Sequence, residues 1–442
     1  MAASKQTALD RYVAKPDPNY KFELKKTIPG KGFTAFVLEL TSQQYLTEKE
    51  IDKPVWRHWL TVVRPDRVKS ATGFLFITGG SITSAMPAAA DAFFSTMAVN
   101  TGSVTAELRM VPNQPLIFAG ETKGRVEDSF IAYTWDKFLR TGDEKWPARL
   151  PMTKAAVKAM DAVTEFSASA AGGKVAVSKF VVSGASKRGW TTWTAAAVDK
   201  RVVAIVPLVI DMLNLDKSFA HHWRVYGNYS PAIKDYIDFK TMDWAGTKEN
   251  RKLLEIEEPY QYRDRLTMPK YTINATGDEF FIPDSWQFYW KDLKGEKHIR
   301  YVPNTKHNMQ GTDVRDTLGA FYQAVVEGKA RPKYDWRVEK DGTITMKSET
   351  RPEAVKLWRA SNPKARDFRL DVIGKAWTSA DLKPDAKGVY RAKVTQPSAG
   401  YSAYFIEMTY WLGGPYPFKA TTGVRVTPNV YPYPARKATP PR

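Results

Sequence analysis

The sequence predicts an α/β protein: a mostly parallel sheet with helices on both faces and an inserted cap, followed by a C-terminal antiparallel β-sandwich. Three observations carry that expectation. Continuous apolar runs of strand length, such as Phe180-Val181-Val182 and the stretch 202–210, alternate with helical stretches, which is how strands buried on both faces read. An aromatic- and charge-rich interruption at about 212–267 carries no strand signal. Beyond residue 330, short strands recur at regular spacing with hairpin turns between them.

Residues 1–32 read as an N-terminal extension, polar and turn-forming from residue 5 onward, with Pro16-Asp17-Pro18-Asn19-Tyr20 as irregular structure. Strands are expected at 33–40 and 55–63, and the run 73–77 is a buried strand that opens into Thr78-Gly79-Gly80-Ser81. A helix at 84–97, a strand at 103–110 and helices at 129–139 and 152–168 lead to the central strand at 179. The aromatics of the cap, among them Phe219, Trp223, Tyr229 and Trp244, fit the cap's own core or a substrate-stacking surface. The sheet resumes at 270–275 and 298–302, and a helix at 312–327 closes the domain that spans 33–330. Residues 328–332 read as a linker. In the C-terminal domain, 331–430, strands are expected at 334–339, 343–347, 354–360, 368–372, 388–394, 403–411 and 423–427. The tail, 431–442, is proline-rich, basic and expected to be loose.

Candidate chemistry collects at the carboxyl ends of the strands, where sheets of this kind place their reactive groups. Gly184-Ala185-Ser186-Lys187-Arg188-Gly189 joins a buried strand to a helix. A serine at such a corner is lifted clear of the sheet, with the free N–H groups of the helix start aimed at it. In the usual pentapeptide a second glycine lies two residues after the serine; here Arg188 holds that place. An ordinary turn into a helix would read the same. Two later strands end in Thr276-Gly277-Asp278-Glu279 and Pro303-Asn304-Thr305-Lys306-His307, so Ser186, Asp278 and His307 stand in the chain order of a serine, acid and histidine triad. A serine hydroxyl needs a base to remove its proton, which His307 supplies if Asp278 holds its ring in the right tautomer. Glu279 and Asp284 are rivals for the acid, and a helix N-cap role explains Asp284. Gly80, Ser81, Lys187 and Trp190 are the oxyanion- and substrate-binding candidates, with the Gly-Gly turn and the Lys187 N–H as the two halves of an oxyanion hole.

GASKRGW, NATGDEFFIPDSW, NTKHN and the opening TALDRYVAKPDPNY with TSQQYLTEKEIDKPVWRHWL resemble the PhoPQ-activated pathogenicity-related protein family, from about residue 7 to beyond 320. The resemblance implies an α/β-hydrolase fold and a triad, and export to the periplasm or exterior as a mature form, since many bacterial members carry export signals. The lysine after the serine is also similar to the arginine that glucuronoyl esterases place there, which implies that the Lys187 side chain either adds charge to the oxyanion hole or meets an anionic substrate group. A solvated lysine at a helix start is the plainer account. The expected function is hydrolysis of carboxylic esters, with peptide or amide hydrolysis on the same fold, or non-catalytic binding or signalling, as the alternatives.

Composition excludes several classes. The chain has 442 residues and no cysteine, so disulfides, thiol catalysis and cysteine-ligated zinc are ruled out. Its formal charge of +19 is spread rather than massed, which fits a solvated basic surface or weak nonspecific attraction to anionic surfaces, and no specific nucleic-acid partner is expected. No membrane span or signal peptide follows Met1. His221 and His222 are adjacent and cannot face one metal from a helix; with His58 and His298 they read as structural, and neither metal nor cofactor is expected.

Overall fold

The computed structural model describes residues 6–440. Residues 1–5, where the reading of no signal peptide begins, and 441–442 of the tail lie outside the described residues. Two compact units form, Met1–Pro207 with Lys234–Met268 and Ala438–Arg442, and Leu208–Ile233 with Pro269–Lys437.

The first unit starts with helix α1 (Ala8–Ala14), whose first turn is closed by a capping box: the Thr7 hydroxyl accepts from the Asp10 N–H while Asp10 accepts from the Thr7 N–H. Strands β1 (Lys21–Gly30), β2 (Phe33–Gln44) and β3 (Val55–Pro65) then form an antiparallel meander. Residues 16–20 are irregular as expected, but the extension around them holds a helix and an edge strand that the sequence did not announce. Strand β1 is solvated along most of its length, so no apolar alternation marks it in the sequence. Next come β4 (Thr72–Ile77), α2 (Ala92–Thr101), β5 (Thr105–Leu108), α3 (Glu127–Thr141), α4 (Arg149–Ala168), β6 (Lys179–Ala185), α5 (Lys187–Val198) and β7 (Val202–Leu208). Helix α2 begins at 92 rather than 84, because Asp91 caps it by accepting from the Phe93 N–H. The strand order β1-β2-β3-β5-β4-β6-β7 puts β4 parallel to both β5 and β6. That gives β6, which carries Ser186 at its end, a strand on each side, β4 and β7. The later half of the expected cap belongs to this unit, as α6 (Lys234–Asp238) and α7 (Lys248–Glu257) with short 3₁₀ turns.

The second unit contains the earlier half of that stretch, a helix at Leu215–Tyr226 with a 3₁₀ turn at Pro231–Ile233. Parallel strands β8 (Lys270–Ala275) and β9 (Lys297–Val302) follow, then the helix Val314–Val326. The C-terminal strands make two antiparallel sheets: one of three strands (Tyr334–Val338, Ile344–Ser348 and Val389–Ala392), and one of five built around Ala354–Asn362 and Tyr401–Trp411. Their apolar faces do not close on themselves alone. Ile299 and Tyr301 of β9 share one core with Phe368, Trp377, Phe405, Val424 and Val426. Two strands escaped the sequence reading, Thr378–Asp381, exposed throughout, and Pro417–Thr421, which starts on a proline. Residues 368–372, expected as a strand, contain instead the start of a short helix, Leu370–Ile373.

The first residue of the tail is anchored in this unit. The Tyr431 hydroxyl shares a hydrogen bond with His221 Nδ1 at 3.0 Å, and the Arg224 guanidinium lies 3.7 Å over its ring. Among the described residues no helix is long and apolar enough to cross a membrane.

Candidate active site

Ser186 stands at the corner between β6 and α5 with φ 58° and ψ −125°, a conformation that L-residues avoid. It is the N-cap of α5 yet makes no side-chain capping bond, so its hydroxyl is not spent on the helix. Gly184 makes the corner possible: a Cβ there would lie 2.7 Å from the Arg188 carbonyl oxygen. Strain of this kind costs about 1–3 kcal/mol and persists where the surroundings over-determine it. Ser186→Gly is therefore expected to melt at a higher temperature than Ser186→Ala, since glycine tolerates the positive φ that alanine does not. Thermal unfolding of the two variants reads the difference.

Arg188, at the place of the usual glycine, is turned away from the corner. Its guanidinium makes a bidentate pair with Glu127 at 2.6 and 2.7 Å and gives its Nε–H to the Val111 carbonyl. Gly79 accommodates this, because a Cβ there would meet Arg188 Nη2 at 2.5 Å. The Gly-Gly turn thus owes one glycine to a guanidinium. The Gly80 carbonyl accepts from Gln114 Nε2 at 3.2 Å, and the Ser81 N–H donates to Ser84 Oγ at 3.0 Å.

Lys187 is neither solvated nor unpaired. Its side chain is 8% exposed, with Nζ 2.9 Å from Glu127 and 3.1 Å from Asp128. Burial alone would push the Glu127 carboxyl up, but the hydrogen bonds and charge of Arg188, and then Lys187, hold it well below the ordinary carboxylate range. Trp190, expected beside the substrate, is buried in the helix packing. Its indole N–H goes to the Glu257 carbonyl at 2.7 Å, and Arg149 stacks on its ring at 4.5 Å while donating to the Lys187 carbonyl. Glu127 and Arg149 were not singled out from the sequence; the acidic Glu127-Asp128 pair opening α3, a complement to Lys187-Arg188, is the signal that could have found them.

In the second unit, His307 Nδ1 lies 2.9 and 3.1 Å from the two Asp278 oxygens, leaving Nε2 as the other ring nitrogen. Asp278 is buried, and its Oδ1 also accepts from the Phe280 and Phe281 N–H groups at 2.8 and 3.3 Å. The phenyl rings of Phe280 and Phe281 lie 4.5 and 5.6 Å from the imidazole. The rival acids have other partners. Glu279 accepts from the backbone N–H of His307 at 3.1 Å, and Asp284 makes no helix cap but holds His221 at 2.8 Å and Arg366 at 2.5 Å.

The other histidines are buried in hydrogen bonds: His58 to Ser42 and the Arg109 carbonyl, His222 to the Ser230 N–H, and His298 to Tyr334 and Glu296. Burial pushes His58 down to about 4 and His222 to about 3. Among the described residues no group of three His, Cys, Asp or Glu is placed to hold a metal ion.

One buried acid went unread. Asp211, three residues past β7, accepts from the hydroxyls of Tyr289 (2.5 Å) and Tyr301 (2.6 Å). Burial pushes its carboxyl up to about 7, against the pull of the two hydroxyls. A carboxyl raised in the folded state contributes stability that is complete below its ordinary value of 3.8 and is lost as the pH rises to about 7. Asp211→Asn, which cannot ionise, is thus expected to gain on the wild type between about pH 5 and pH 8, by on the order of 3 kcal/mol at most. Melting curves at the two pH values measure it.

A family model described as PhoPQ-activated pathogenicity-related protein matches residues 9–369. Autocrine proliferation repressor protein A of Dictyostelium discoideum is 39% identical over 459 residues, covering 97% of this chain and 92% of its own. Among solved structures, the acetyl xylan esterase from Paenibacillus sp. R4 aligns with a TM-score of 0.51 at 12% identity, covering 74% of this chain and 96% of its own. Acetyl xylan esterase 1 from Thermoanaerobacterium sp. JW/SL YS485 aligns with a TM-score of 0.49 at 14% identity, covering 72% of this chain and 91% of its own. At such identity the likeness to the Paenibacillus structure shows the fold alone, that of the α/β-hydrolases.

Proposed function

The chain belongs to the PhoPQ-activated pathogenicity-related protein family, and from that premise we propose that it is a serine hydrolase of carboxylic esters. The observation that carries the reading is the strained, uncapped Ser186 at a strand-to-helix corner; the His307–Asp278 pair supports it. In this reading His307 Nε2 takes the proton from Ser186 Oγ as that oxygen attacks the ester carbonyl. Asp278 keeps the proton on Nδ1 and stabilises the imidazolium. The tetrahedral oxyanion meets the backbone N–H of Lys187, freed from helix bonding by its place in the first turn, and that of Gly80. Collapse of the intermediate breaks the carbon–oxygen bond, and His307 returns the proton to the departing alkoxide. Water, deprotonated by the same imidazole, then cleaves the acyl-enzyme. The charges of Lys187 and Arg188 act on Glu127 and Asp128 rather than on substrate, so both side chains are assigned to holding the corner. Export from the cytoplasm is part of the proposal and rests on the family, since a chain without cysteine suits either redox compartment.

A second reading, a signalling or binding protein on a hydrolase scaffold, is favoured by the name of the Dictyostelium relative, a proliferation repressor. A fluorophosphonate probe separates the two. The enzyme labels as wild type and not as Ser186→Ala; a folded wild type that takes no label favours the binding protein. Turnover of acyl esters against the matching amides then decides between ester and amide hydrolysis.

A further inference from the structure

Resting on the triad reading, we propose that residues 366–377, in the C-terminal antiparallel region, are a brace that sets the acid and base loops, with Asn304 as a positioning residue. The two loops are already tied to each other. The Thr276 N–H donates to the Val302 carbonyl at 3.0 Å, and the Gly277 N–H to the Thr305 carbonyl at 3.1 Å. The brace grips both. On the acid loop, the Leu370 N–H donates to the Gly277 carbonyl at 3.1 Å, and a Cβ on Gly277 would lie 2.8 Å from the Leu370 Cβ, 2.9 Å from its nitrogen and 2.9 Å from the Thr305 oxygen. Farther along the same loop, Arg366 pairs with Asp284 where both are almost fully buried. On the base loop, Asn304 pairs reciprocally with the backbone of Trp377: its Oδ1 accepts from the N–H at 3.0 Å and its Nδ2 donates to the carbonyl at 2.8 Å. Asn304 has φ 57°, which asparagine tolerates better than most residues, and it lies three residues before His307. Lys306 and Asp371 add an exposed ion pair.

The brace itself cannot drift, since Phe368 and Trp377 are 2% and 3% exposed in the core that β9 shares with the C-terminal sheet. A rigid support of this kind matters because proton transfer needs a donor and acceptor held at hydrogen-bond distance, and misplacement by about 1 Å costs on the order of 10²-fold in rate. The C-terminal sheets thereby become part of the catalytic apparatus without contributing a group that touches substrate.

Asn304→Gly tests this, because it removes both bonds to Trp377 while glycine accepts the positive φ. Expected is a fall in kcat and in the rate of fluorophosphonate labelling of about 10²-fold with KM little changed, and partial recovery in Asn304→Asp, which keeps the acceptor for the Trp377 N–H. Met346→Ala, at a buried residue outside the cluster that holds Phe368 and Trp377, controls for lost stability and is expected to keep the labelling rate. The proposal is overturned if Asn304→Gly labels at the wild-type rate, or if Met346→Ala loses as much. The His307 ring proton resonances, assigned among only five histidines with His307→Gln, separate this proposal from the enzyme reading. Should the wild type take no label, a shift of those resonances in Asn304→Gly and not in Met346→Ala sustains the brace, and unmoved resonances refute it.

Discussion

His307→Ala and Ser186→Ala are each expected to lower kcat by about 10⁶-fold, and the double variant to lose no more than either single one, because in the proposed triad nucleophile and base act as a unit. Asp278→Asn is expected to lose about 10⁴-fold while folding normally. The asparagine can still accept from the Phe280 and Phe281 N–H groups through its oxygen, but it no longer offers His307 a carboxylate and can present an N–H to the ring instead. The imidazole then holds its proton on the wrong nitrogen. Glu279→Gln and Asp284→Asn, whose carboxylates serve the His307 backbone and the His221–Arg366 pair, separate the acid's role from that of its neighbours. Steady-state turnover of one ester by the five single variants and the double variant measures all of this, and a loss for Glu279→Gln as large as that for Asp278→Asn would reassign the acid.

Glu127→Ala carries the largest expected loss of stability in the serine-bearing unit. It strips the bidentate partner from Arg188 and one of two partners from Lys187, two cations whose side chains are 11% and 8% exposed. Removing one partner of a buried pair costs about 3–5 kcal/mol; because Glu127 is itself partly solvated and Asp128 still faces Lys187, about 2–3 kcal/mol is expected here. Chemical denaturation measures it. The contribution has a defined pH window. The Glu127 carboxyl is held low in the folded state, so its share is present above its ordinary value of 4.5 and disappears as the pH falls below it. Wild type and variant should therefore converge in acid. A loss in Glu127→Ala that stayed constant from neutral pH to pH 3 would mean that the ion pairs are not its source.

What the chain decides locally is legible in it. Phe180-Val181-Val182 and the run after Lys270 announce buried strands because each residue there lacks a polar side to show to water. Gly184, two residues before Ser186, announces a turn because only a missing Cβ lets the Arg188 carbonyl come so near. The order of serine, acid and histidine follows from such local signals alone. What lay beyond them depended on partners in other elements. Strand β1 is a strand because β2 offers it an edge, not because its own residues are apolar. Lys187 looks solvated until α3 brings Glu127 and Asp128 beside it, and Tyr431 looks loose until the helix at Leu215–Tyr226 offers His221 and Arg224. Residues 366–377 read as part of a separate module until their bonds to the acid and base loops are seen. Apolar periodicity and missing side chains are properties of a few consecutive residues, whereas the pairing of charges and backbone groups is set by which loops the folded sheet brings together. That is why the sequence by itself determined the fold class and the order of the candidate triad, and only the tertiary structure decided what holds each candidate in place.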